Sequence, residues 1–137
     1  KVILPCLSVT SFGWAMSEHT KIFRNAEKFF ENYDLLITPA ASVPPFNHED
    51  EYPKNIDSKL MDNYLKWEAI SYGVTLFGGP SIVIPCGSIE NGLPFGIQII
   101  SKKNSDIDLL DIAYSLENSF KDIPSFKFDD TNYDFDN

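Results

Sequence analysis

Residues 78–100 read GGPSIVIPCGSIENGLPFGIQII, two apolar runs joined by a turn segment, with prolines at their edges. Apolar runs that do not alternate with polar residues belong to strands buried on both faces. Asn91-Gly92 marks the turn, because both residues tolerate positive φ. The run therefore predicts an antiparallel pair, residues 81–85 against 95–101, joined over residues 88–93 by a loop longer than a two-residue hairpin. A pair buried on both faces needs cover above and below, and helices are the usual cover.

The rest of the chain supplies it. Residues 17–33 predict a helix capped by Ser17, with Glu18 near its positive end and Ile22, Phe23, Ala26, Phe29, Phe30 and Tyr33 at helical spacing. LLIT at 35–38 predicts a further strand buried on both faces, stopped by Pro39. A loop with Pro44, Pro45 and Pro53 follows, and a second, deeply packed helix is expected from Asp57 or Ser58, running out between Gly73 and Gly79. Ser105 opens a third helix, with Asp108 as the acidic half of a capping-box-like pair and Leu109, Leu110, Ala113, Leu116 and Phe120 as its stripe. Pro124 prevents its continuation. The expected fold is α/β, a mixed β-sheet flanked by helices and thin enough to be a piece of a larger sheet. Residues 1–121 are expected to form one unit, whose irregular first 14 residues look like the tail of an element cut off at its start. Residues 122–137 form an acidic, aromatic-containing tail, expected to be partly ordered against the core.

With 43% apolar residues, the 137-residue chain can build a core, so the disordered class is excluded. No stretch is long and apolar enough to span a bilayer, and no membrane partner is expected. A formal net charge of -9 without a basic cluster argues against nucleic acid. The two cysteines, Cys6 and Cys86, each lie beside a proline in an apolar run and read as buried free thiols. A reducing cytoplasm is the expected compartment.

Each residue that could carry chemistry has a plainer reading. Cys86 follows a strand end, but a working thiolate needs a base, and the only histidines are His19 and His48. A packed cysteine is favoured over a Cys86–His48 dyad. Ser81 lacks the Gly-x-Ser-x-Gly setting of a nucleophile elbow and reads as the start of a strand. His48, Glu49, Asp50 and Glu51 have metal-binding side chains, but their spacing matches no zinc pattern, and a solvated loop is favoured. Gly78-Gly79 is not a phosphate loop and reads as a tight backbone passage. Trp67 and Phe77 can line a pocket, with core packing as the competing role.

YDLLITPAASVPPF at 33–46, the segment with Trp67, the run at 78–100 and DIDLLDIAYSLENSF at 106–120 together resemble the C-terminal part of the amidase signature family, in that family's order. The resemblance implies part of the amidase signature fold and a parent enzyme that cleaves a carboxamide C–N bond through a serine acyl-enzyme. A lysine would act through a bridging serine on a cis peptide bond, and backbone N–H groups would hold the oxyanion. In the family those residues lie upstream of these landmarks, and the Gly/Ser-rich segment that carries the nucleophile does not occur here. No catalytic residue carries over, and the chain alone is expected to be inactive. Family members commonly show N-x-T-G where this chain has Thr75-Leu76-Phe77-Gly78, a departure that points to a different acyl preference. Trp67, Thr75 and Phe77 are the expected substrate-binding residues. No metal and no organic cofactor are implied. The implied partners are a small-molecule amide and the N-terminal portion of the same protein, and a homo-oligomer is compatible with this. A non-catalytic split subunit, whose partner completes the sheet, is the competing reading.

Overall fold

A computed structural model describes residues 8–89 and 92–121. Its elements run α1 (Val9–Phe30), β1 (Leu35–Pro39), β2 (Asn55–Ile56), β3 (Lys59–Leu60), α2 (Tyr64–Trp67), α3 (Ala69–Tyr72), a 3-10 turn (Gly73–Phe77), β4 (Ser81–Ser88), β5 (Pro94–Ser101) and α4 (Asp106–Lys121). β1, β5 and β4 form an antiparallel sheet with β5 in the centre. Ile99 faces Ile37 on one side and Ile82 on the other, which fixes the register of all three strands.

The strand period of two assigns the faces. Ile82, Ile84, Ile97 and Ile99 point to one face, where Leu109 and Ala113 of α4 close the core and Leu35, Leu116 and Phe120 pack around it. Leu36, Gln98 and Ile100 point to the other face, which α1 and the α2–α3 segment cover. Ile99 and Ile100 are both 0% exposed, so successive residues of β5 are buried on opposite faces. Burial of that extent stabilises by ~1.5–3 kcal/mol per side chain relative to exposure. The apolar hairpin is thus the centre of a three-layer α/β arrangement, as its sequence predicts.

The hairpin is longer than expected at its loop end only, where β4 runs on to Ser88 and β5 begins at Pro94, and a β-bulge interrupts it. Pro85 pairs with Gly96 and Gly87 with Phe95, which leaves Cys86 as the extra residue. Gly92 has φ +82 in the connecting loop, where Ile89 N–H donates to Leu93 O at 2.9 Å. Asn91 lies outside the described residues, as do Cys6 and the segment 122–137.

Three expectations need correction. α1 is capped by Ser8, whose Oγ accepts from Ser11 N–H at 3.0 Å, and not by Ser17. Ser17 lies within the helix, and Glu18 is paired with Lys21 at 2.6 Å in place of any role at the N-terminus. β1 is an edge strand, paired only with β5 among the described residues, and Ile37 is 51% exposed, so the strand is not buried on both faces along its length. Asp57 and Ser58 open no helix. They are the two positive-φ residues, at 47° and 61°, of the β2–β3 hairpin, and the expected second helix is broken into α2, α3 and the 3-10 turn. The predicted stripe of α4 holds except at Leu110, which is 58% exposed. Among the described residues, no helix is long and apolar enough to cross a membrane.

Candidate functional site

The loop after β1 folds back over the C-terminal end of that strand and meets α2 and α3. Two serines fasten it: Ser42 Oγ donates to Trp67 O at 2.5 Å, and Ser71 Oγ donates to Ala40 O at 3.1 Å. Asn63 caps α2, its Oδ1 accepting from Lys66 N–H at 3.1 Å. That cap starts a helix only one turn long and aims Trp67 back at the loop. Beneath them Gln98 is 5% exposed, and its Nε2 donates to Thr38 Oγ1 at 3.3 Å and to Ile70 O at 3.5 Å. One buried amide thus ties β5 to β1 and α3.

These elements line a cavity of about 410 Å³ that is broadly open to the surface. Its walls are Ala40, Ala41, Val43, Pro44, Pro45 and Phe46 of the loop, Trp67, and Pro94, Phe95 and Gly96 at the start of β5. Among the described residues His48 is the one lining side chain able to carry charge. Trp67 meets Phe46 edge-on, with centroids 5.6 Å apart and planes at 87°, and meets Tyr64 edge-on at 5.9 Å. Tyr64 in turn contacts Tyr52 at 6.3 Å, and Lys54 Nζ lies 3.6 Å from the Tyr52 centroid. The Tyr64 hydroxyl bonds the Glu68 carboxylate, which pushes its pKa up. Trp67 Nε1 is buried and has no acceptor among the described residues. Among the described residues the cavity therefore has an apolar, aromatic wall and no fixed charge.

The three expected substrate-binding residues are not brought together. Trp67 lines this cavity. Phe77 lines a separate one of about 300 Å³ beneath α1, with Ile22, Phe29, Phe30 and Leu36. Thr75 is exposed, and its hydroxyl donates to Tyr72 O at 2.7 Å. Sequence reasoning missed Phe46, Val43, Pro45 and Phe95 as cavity walls. The proline-aromatic run Pro44-Pro45-Phe46 was the available signal, since such a run cannot join a helix or a central strand and must pack as a loop.

The remaining candidates keep their plain roles. Cys86 is free and half-buried, and burial pushes its thiol pKa up, the opposite of what a partner base does to a nucleophile. It does not line the cavity that His48 lines. Ser81 opens β4. His19 lies exposed on α1. Among the described residues no group of three His, Cys, Asp or Glu side chains is placed to hold a metal. Gly78 ends the 3-10 turn at φ +71, and a Cβ on Gly79 would overlap the Ser101 carbonyl oxygen. The glycine pair is the tight passage its sequence suggests.

The order of elements, the three-layer packing and the landmark runs identify the class: the chain belongs to the amidase signature family, whose model, described as Amidase, matches residues 8–110. Its curated relatives include a glutamyl-tRNA(Gln) amidotransferase subunit of Thermodesulfovibrio yellowstonii, 35% identical over 105 residues that make up 77% of this chain and 20% of that protein. The corresponding subunit of Staphylococcus haemolyticus is 37% identical over 101 residues, 74% of this chain and 19% of that protein. Among solved structures, a bacterial aryl acylamidase of the amidase signature family superposes with a TM-score of 0.73 at 25% identity, over 89% of this chain and 26% of that one. The corresponding amidotransferase subunit of Thermotoga maritima superposes with a TM-score of 0.65 at 24% identity, over 87% of this chain and 25% of that one, which shows the shared fold. The chain spans about a fifth of the length of the curated relatives it matches, 20% of the first of them.

Proposed function

We propose that the chain is the C-terminal portion of an amidase that cleaves a carboxamide C–N bond through a serine acyl-enzyme, and that it supplies part of the wall against which the acyl group rests. In that reading a serine oxygen outside these 137 residues adds to the amide carbon. The C–N bond then breaks, the departing nitrogen takes a proton, and water releases the acid. Trp67 is the wall residue of this chain, and neither Cys86 nor Ser81 does chemistry. The observation that carries the reading is the family match over residues 8–110, joined to an apolar cavity whose described lining residues include no Ser, Thr, Cys or Lys. The test is ammonia release from simple carboxamides. Protein expressed from the complete reading frame is expected to release it, with Cys86→Ala and Ser81→Ala unchanged. The 137-residue chain alone is expected to release none. Release by the chain alone that disappears in Cys86→Ala overturns the reading.

A second reading, a non-catalytic subunit completed by a partner, is favoured by the two sheet edges, on β1 and β4, that are unpaired among the described residues, and by exposed Ile37 and Val83 along them. The coding sequence ahead of Lys1 separates the two. An in-frame segment with a Gly/Ser-rich stretch supports the amidase, and a start codon at that point supports the non-catalytic reading.

A further inference from the structure

We infer that the cavity at Trp67 takes a neutral, flat apolar group, an aromatic ring or a branched aliphatic chain of similar size, as the acyl substituent of the amide. The inference rests on the amidase reading and adds the substrate class to it. Volume comes first. About 410 Å³ is far more than a methyl or ethyl group fills, and it lies at the small end of ligand cavities. Chemistry comes second. Among the described residues the lining side chains are carbon surfaces apart from His48 and the Trp67 indole, whose Nε1–H has no acceptor there, so an entering ammonium would find no counter-charge and a carboxylate no fixed cation. Shape and rigidity come third. Phe46 and Trp67 stand edge-on to one another, and the loop that carries Phe46 is pinned by the Ser42–Trp67 and Ser71–Ala40 hydrogen bonds. A pinned aromatic wall discriminates by shape, because it loses little conformational entropy when a ring docks against it. Pro44 and Pro45, directly before Phe46, stiffen the same loop.

The test uses protein from the complete reading frame and three amides: benzamide, acetamide and the charged succinamate. Binding is measured by calorimetry and ammonia release is measured separately. Benzamide is expected to bind at least about tenfold more tightly than acetamide, from the added apolar area alone. Succinamate is expected to bind no better than acetamide. Ala41→Leu, which fills the cavity from the loop side, is expected to remove at least about tenfold of the benzamide affinity and leave acetamide unchanged. If Ala41→Leu does not fold, Val43→Phe fills the same wall and makes the same prediction. Equal binding of benzamide and acetamide overturns the inference, and so does benzamide affinity that survives both fillings. Tight benzamide binding lost on filling, without ammonia release from any of the amides, sinks the amidase reading instead. Ammonia release from all three amides with equal kcat/KM sinks the cavity inference and leaves the amidase reading standing.

Discussion

At Gly79 the backbone passes so close to the Ser101 carbonyl oxygen that a Cβ would overlap it, whereas a Cβ on Gly13 of α1 meets nothing within 4 Å. The same substitution therefore has opposite signs at the two positions. Gly79→Ala must move β4's approach away from the end of β5, and is expected to cost about 2–3 kcal/mol. Gly13→Ala removes backbone freedom from the unfolded chain at an open helical site, and is expected to add about 0.5–1 kcal/mol. Urea denaturation of the two variants measures both. Cys86 makes a third prediction. With its thiol held protonated by burial, its alkylation profile in a Cys6→Ser background should lie above that of a small free thiol in pH, and the rate at neutral pH should be lower. A profile displaced downward would instead reveal a base beside it. Because the folded pKa is raised, this group's contribution to folding is complete below its unfolded pKa and is lost as pH rises through the folded one.

Among the elements, the β2–β3 hairpin shows where the sequence is readable and where it is not. Asp57 and Ser58 are good helix caps and also good turn residues, because a short oxygen-bearing side chain serves both. Local sequence cannot choose between them. The choice is made by Met61, buried at 8% exposure, whose N–H donates to Lys54 O at 2.8 Å and closes the turn. Ser58 adopts φ 61, which glycine adopts without steric cost. Ser58→Gly is therefore expected to raise stability by about 0.5–1 kcal/mol in the same denaturation assay. By contrast, the β4–β5 hairpin and α4 were legible at once. Their patterns are governed by burial on both faces of a sheet and on one helical stripe, and both patterns are local. α1 was half legible: residues 22–33 carry the periodic face that packs, while Val9, Phe12, Trp14 and Met16 lie exposed on turns that pack against nothing described. The cavity was the least legible part, since Phe46, Trp67 and Phe95 are far apart in sequence and meet only because Ser42, Ser71 and Gln98 tie three elements together. Trp67 is the exception, because aromatics near strand ends commonly supply apolar walls, and it does line the cavity.

At the scale of the whole molecule, large apolar side chains stand uncovered on the first half of α1, at the sheet edges at Ile37 and Val83, at Leu60 and Leu65, and along the line Ile107, Leu110 and Tyr114 on the outer side of α4, among other places. The last three recur at helical spacing, as residues of a packed face do. Water alone is a poor cover for so much apolar surface. The 137-residue chain by itself is therefore expected to self-associate, with a sedimentation coefficient that rises with concentration. Phe12→Lys together with Leu110→Lys should reduce that rise, and a coefficient independent of concentration in the unsubstituted chain would count against it. The placing of β5 between β1 and β4 has a different consequence, one that belongs to time. Its backbone amides are bonded on both sides, and they sit above and below fully buried isoleucines, so they are released only when the whole sheet parts. In deuterated buffer the amides of Ile99 and Ile100 should be the last to exchange, ~100-fold or more after those of the open β1 edge. The order in which labels enter would then trace, from the outside in, the same apolar hairpin.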